Sequence, residues 1–194
     1  MIIKLHPSSK SVDLKKVEQS IGELIVSIGE DPKREGLIGT PGRVAKSFIK
    51  LFGGYQEDPK RLIKVFDNEG YDEMIIAKDI DFYSTCEHHM LPFIGKAYIG
   101  YIPDDKIIGL SKLPRLVEIF SRRMQNQERL TKQIADTLNN MLKPRGVGVV
   151  IKAEHLCMKA RGVEKQNCVI STSSFTGLFI KNVNTRAEFL NLIQ

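Results

Sequence analysis

The chain has no tryptophan and only three cysteines in 194 residues, and aromatic side chains make up just 7% of it. Cys86, Cys157 and Cys168 cannot all pair within one chain, which excludes a disulfide scaffold and leads us to expect a reducing, cytoplasmic setting. No segment approaches the roughly 20 apolar residues that span a bilayer. The opening Met1-Ile2-Ile3-Lys4-Leu5-His6-Pro7 carries no apolar stretch long enough for a signal peptide. No internal repeat is present, and no Gly-x4-Gly-Lys-Ser/Thr sequence occurs, so any nucleotide is held by something other than a P-loop.

What is present fits one domain over residues 1–194, with 42% hydrophobic and 27% charged residues, and a chain of this length folds without staples. The formal charge of +6 and a pI near 9.2 favour an anionic partner: a nucleic acid, a membrane surface or a small phosphorylated substrate. Charge alone does not choose among these, and a basic surface with no partner explains it as well.

Leu14, Val17, Ile21, Leu24, Ile25 and Ile28 recur at three and four, which predicts an amphipathic helix over Val12 to Ile28. Thr40-Pro41 reads as an N-cap and first-turn proline for a second helix to Phe52, which Gly53-Gly54 ends. Residues 74–84 and 93–103 read as strands. Two helices follow, capped by Ser111 and Asn126, with stripes Leu113, Leu116, Val117, Phe120 and Met124 and then Leu130, Ile134, Leu138 and Met141. Residues 147–158 read as a strand whose odd positions, His155 and Cys157 included, share one face, and a last strand is expected over 169–179. The order αα, ββ, αα, ββ predicts an α+β fold: an N-terminal helical segment over 1–55, then an antiparallel sheet with helices on one side over 72–194.

Cys86-Glu87-His88-His89 puts a thiolate and an imidazole three residues apart, where one turn can present both to a tetrahedral ion. His155-Leu156-Cys157 places another such pair at i and i+2, on one side of a strand. Any one of these residues alone is an ordinary core side chain. Three of the four histidines in the chain fall in the two cysteine-bearing clusters, however, and core packing does not produce that coincidence. Four protein ligands would close a structural site, whereas three plus water would leave a catalytic one open, and spacing does not count ligands. Sulfur and imidazole donors favour zinc over magnesium or calcium.

Lys112, Arg115, Lys159 and Arg161 stand close in sequence to Ser111 and Cys157, as phosphate ligands or as a solvated basic face. Glu128, at a helix start, either complements the dipole and pairs with Lys132 or accepts two hydrogen bonds from guanine. Ser111 on its own is a cap, and Cys168 is read as structural. A non-catalytic zinc-stapled module on nucleic acid is the rival reading. It lacks a helix-turn-helix or an aromatic RNA-binding signature, so no nucleic acid is expected as a partner, and the want of a long apolar segment leads us to expect no membrane partner either.

Four stretches together resemble GTP cyclohydrolase I over nearly the whole chain. They are Ser84-Thr85-Cys86-Glu87-His88-His89, Gly109-Leu110-Ser111-Lys112-Leu113-Pro114-Arg115, Gln127-Glu128-Arg129-Leu130-Thr131 and His155-Leu156-Cys157-Met158-Lys159-Ala160-Arg161-Gly162. The resemblance implies that Cys86, His89 and Cys157 are zinc ligands with the fourth position left to water. It implies that His88 donates a proton to the guanine imidazole ring and that His155 is a second catalytic histidine near the ribose. Glu128 resembles the guanine-reading carboxylate, Ser111 a ribose or phosphate contact, and Lys112, Arg115 and Arg161 triphosphate ligands. Arg43 and Lys46 resemble phosphate contacts donated by a neighbouring subunit. The implied reaction is hydrolytic attack at C8 of GTP, ring opening, release of formate, and closure to 7,8-dihydroneopterin triphosphate, with no organic cofactor. The implied fold is the tunnelling fold, assembled as a homo-oligomer of two stacked rings, a decamer of two pentamers.

Overall fold

The computed structural model describes residues 11–62 and 64–194. Helix α1 (Leu14–Ser27) starts where the Asp13 carboxylate accepts the Lys16 N–H, and α2 is Thr40–Leu51. Thr40 is the first residue of α2 and not its cap. The loop before it is already turning, so the Thr40 N–H donates to the Leu37 carbonyl and its hydroxyl to that of Gly36. A 3₁₀ turn at Gly53–Tyr55, α3 (Pro59–Leu62) and β1 (Val65–Asp67) lead into the long strands β2 (Ile75–Cys86) and β3 (Pro92–Ile102). Then come β4 (Lys106–Ile108), α4 (Lys112–Ser121), β5 (Met124–Gln125), α5 (Gln127–Leu142) and β6 (Gly146–His155). The chain closes with α6 (Leu156–Lys159), β7 (Ile170–Phe175), α7 (Leu178–Lys181) and α8 (Val183–Leu192).

The main sheet has five strands in the order β5-β2-β3-β6-β7, antiparallel except for a short parallel contact between β2 and β5, and β1 pairs with β4 separately. Alternation builds the core. Phe93, Ala97, Ile99 and Tyr101 of β3 and Val147, Val149, Ile151 and Ala153 of β6 face the apolar stripes of α4 and α5. Each large apolar side chain buried there contributes about 1.5–3 kcal/mol. The α+β class is as the sequence predicts.

Met124, expected in the stripe of α4, lies instead in β5, because α4 ends at Ser121, and two expectations about the sheet also need correction. Helices occupy both faces of the sheet, because the even-numbered Tyr98, Ile102 and Val150 are also apolar and are covered by Phe179, Phe189 and Ile193 from the C-terminal helices. The strand expected over 169–179 therefore ends at Phe175, after which Gly177 takes φ 53 and turns the chain into α7. That covering depends on a missing side chain. A Cβ on Gly148 would stand 2.8 Å from the Phe179 ring and 3.2 Å from that of Phe189, both fully buried. Gly148→Ala is accordingly expected to destabilise the protein by about 1–3 kcal/mol through overpacking. Chemical denaturation reads this directly, and an unchanged midpoint would show that the ring pair is free to move.

The second correction concerns β6, which stops at His155, so Cys157 lies in the first turn of α6 and not on the strand. The change of backbone conformation, and not strand alternation, aims its thiol.

Candidate metal centre

Cys86 ends β2, and the chain reverses through 87–91 before β3 starts at Pro92. The Met90 N–H donates to the Cys86 carbonyl at 2.8 Å and the Cys86 N–H to that of Leu91 at 2.8 Å, with Met90 in the left-handed region at φ 55. This tight reversal keeps His89 beside Cys86. On the other side of β3, Phe93 pairs in register with His155, the last residue of β6, and α6 begins at once. Sheet order therefore brings residues 71 positions apart to the same end of β3.

The Sγ atoms of Cys86 and Cys157 are 3.9 Å apart and His89 Nδ1 is 3.8 Å from Cys86 Sγ, one donor atom from each of the three lying within 4.8 Å of the others. Tetrahedral bonds of about 2.3 Å from zinc to sulfur require a sulfur separation of about 3.8 Å, so the donor set fits such an ion in chemistry and in spacing. Both cysteines are buried and His89 is exposed. Burial, and next the Cys86 thiol alongside, push the Cys157 thiol up. A divalent cation between the sulfurs opposes this, since the opposite charge favours the thiolates.

Around the triad lies a polar frame that the sequence reading overlooked. Glu87 accepts hydrogen bonds from Arg129 and from Asn126 Nδ2 at 2.9 Å, and the Arg129 guanidinium holds its carboxyl below the usual carboxylate range. Arg129 also donates to Gln125 Oε1 at 2.9 Å and to the Met124 carbonyl at 3.0 Å, tying the metal-site hairpin to β5 and the start of α5. Asn126 caps α5 as expected, accepting the Arg129 N–H at 2.8 Å. Glu87 sits inside the Cys-Glu-His-His run and Gln127 beside Glu128, so both were adjacent to the singled-out residues. What hid them was that their partners come from other elements.

His88 is exposed, with Nε2 3.8 Å from Glu87 Oε1, and is not part of the triad. His155 is half-buried, stacked on Phe93 with ring centroids 4.7 Å apart and planes 1° from parallel, and bonded to Gln127 Oε1 at 2.8 Å. Burial pulls the His155 imidazole down, and the Glu128 carboxylate acts in the opposite sense. Glu128 is exposed and does not pair with Lys132, which bonds Asp136 one turn further on. Arg161 Nη1 lies 3.5 Å from His89 Nε2. Lys159 is bound to Glu154.

Among the described residues, no hydrogen bond joins the remaining candidate cations to the triad. Lys112 and Arg115 line a cleft of about 260 Å³ with Glu57, Asp58 and Arg61. Ser111 occupies the N-cap of α4, but its side chain makes no capping bond there, so the expected cap is positional only. On α2, Arg43 donates to the Gly36 carbonyl at 3.1 Å and to Thr40 Oγ1 at 2.8 Å, and Lys46 is exposed. No bond among the described residues links either to the triad.

A helix-backed, largely antiparallel sheet carrying a thiolate-imidazole-thiolate triad at one end defines an α+β protein with a site able to hold a metal ion. Residues 17–194 match the model of a family described as GTP cyclohydrolase I. Proteins named GTP cyclohydrolase 1 in Chlorobaculum tepidum and Porphyromonas gingivalis are 58% and 56% identical, over 93% and 92% of this chain and 81% and 92% of their own lengths. The chain belongs to the GTP cyclohydrolase I family and is an enzyme with GTP cyclohydrolase activity. Among solved structures, the archaeosine synthase QueF-Like in its apo form overlays at a TM-score of 0.44 and 13% identity, over 57% of this chain and 97% of that one. No helix among the described residues is long and apolar enough to cross a membrane.

Proposed function

We propose that this enzyme uses zinc held by Cys86, His89 and Cys157 to hydrolyse GTP at C8, releases that carbon as formate and closes the remainder to 7,8-dihydroneopterin triphosphate, the first step of pterin and tetrahydrofolate synthesis. The observation that carries the reading is the triad, whose 3.9 Å sulfur separation fits a tetrahedral ion in a chain of this family. When bound, the ion supplies Lewis acidity, which lowers the pKa of water to roughly 7.

The chain's own groups do the rest. His88, exposed beside the triad, donates a proton to the imidazole nitrogen of guanine as the ring opens. His155 acts near the ribose, and Glu128, whose charge reaches His155, accepts two hydrogen bonds from the guanine edge. Ser111, Lys112, Arg115 and Arg161 bind the triphosphate, holding C8 in place for attack. Arg43 and Lys46 lie on a helix that, among the described residues, makes no bond to the triad, which supports their donation to a neighbouring subunit's site. The edge position of β7 among the described strands and the exposed Leu24, Val26 and Ile49 of the N-terminal helices, with Ile28 just after α1, support assembly, as a decamer of two pentamers. Three free thiols suit the cytoplasm.

The test is to incubate the purified protein, its metal content measured, with GTP. Formate and, after oxidation, a fluorescent pterin are expected; consumption of GTP without formate would overturn the reading. Arg161→Ala should weaken GTP binding about 10-fold or more while affecting guanosine little, as loss of a charge-assisted bond to phosphate requires. Equal losses for both ligands, by titration calorimetry, would rule out triphosphate recognition at Arg161.

A further inference from the structure

Gln127 is almost wholly enclosed, at 2% exposure, and every polar atom of its side chain is engaged. Its Nε2 lies 3.1 Å from the Ile151 carbonyl oxygen, 3.0 Å from that of Ile170 and 3.1 Å from Thr172 Oγ1. Two of those three acceptors are backbone carbonyls, which have no proton to give. Were the amide turned over, its oxygen would face two carbonyl oxygens at hydrogen-bond distance with nothing between them, so the nitrogen must point there.

The threonines agree. Thr131 Oγ1 donates its single proton to the Gln127 backbone carbonyl at 2.7 Å, so the proton in its 2.6 Å contact with Thr172 belongs to Thr172. The Thr172 oxygen is thereby left to accept from Gln127. The anchors are set by the sheet itself, because Ile151 pairs with Thr172 and Ala153 with Ile170 across β6 and β7.

With the amide nitrogen committed to the sheet, Gln127 Oε1 is what meets His155 Nε2 at 2.8 Å, and a carbonyl oxygen can only accept. We propose that Gln127 is a positioning residue that holds neutral His155 as the tautomer protonated at Nε2, leaving Nδ1 as the ring's only proton acceptor. The parallel Phe93 ring keeps the imidazole from turning out of this bond. The consequence for turnover rests on the catalytic assignment of His155 above, whereas the tautomer itself does not.

The experiment is a magic-angle-spinning ¹⁵N spectrum of the metal-loaded enzyme with labelled histidine, recorded at alkaline pH where imidazoles are neutral. The chain has four histidines, so the His155 signals are assigned by their loss in His155→Asn. A proton bonded to Nε2 and a bare Nδ1 are expected; a proton on Nδ1 in the unaltered protein overturns the proposal without any variant having to fold. Gln127→Leu should then give mixed tautomers and a fall in kcat on the order of 100-fold with KM largely kept. Thr172→Val, which spares both carbonyl anchors, should keep the Nε2–H signature. A folded, metal-retaining Gln127→Leu with the original tautomer and undiminished kcat would remove the positioning role. Failure of the unaltered enzyme to release formate from GTP would instead count against the proposed reaction, and the spectrum would still decide the tautomer.

Discussion

Cys157→Ser is expected to abolish metal retention and turnover together. The substitution replaces a thiol 3.9 Å from Cys86 Sγ by a smaller, far less acidic hydroxyl, so a soft anionic donor is lost while the first turn of α6 keeps its backbone. Loss of an outer partner of a metal ligand costs ~10–100-fold in affinity or activity, and loss of a ligand itself should exceed that. Metal content by atomic emission and formate release from GTP measure the two effects separately. Cys168, which lies outside the triad, supplies the control: Cys168→Ser should retain the metal. Full activity from a metal-free Cys157→Ser protein would end the claim that the metal is catalytic.

The second large effect is expected at His88. With its side chain 65% exposed and Glu87 Oε1 3.8 Å from its Nε2, His88 contributes little to packing, so His88→Ala should fold and keep its metal. A positioned proton donor is worth about 10²- to 10⁴-fold, and ring opening should slow by that factor. Single-turnover measurement of formate release isolates the step. Unchanged kinetics would contradict proton transfer by His88 and leave the metal centre untouched.

Some of the architecture was legible from the residues. The three-and-four spacing of α4 and α5 and the β-rich runs of β2, β3 and β6 are local patterns, each imposed by which side of one element must be buried, whereas α1 has the same spacing but buries only Ile25. The C-terminal helices were not legible in the same way. Helix α8 (Val183–Leu192) has almost no amphipathic period, and what packs the C-terminal helices is the pair Phe179 and Phe189 meeting the bare backbone of Gly100 and Gly148, residues far off in the chain. Likewise the end of β6 at His155 does not show in a run of good strand formers through Cys157.

At the site, the sequence alone gathered Cys86, His89, His155 and Cys157 as candidate donors, because scarce residue types clustered in two short runs are informative before any fold is known, and the family resemblance narrowed them to Cys86, His89 and Cys157. It equally determined the α+β class, since that follows from apolar periodicity along each segment. Only the tertiary structure decided how far apart the sulfurs stand, that Glu87 is clasped by Arg129, and which way the Gln127 amide faces His155. Those are distances and orientations between side chains that share no local segment. They are set by strand order and register, because pairing β3 with both β2 and β6 is what carries the two motifs to one end of the sheet.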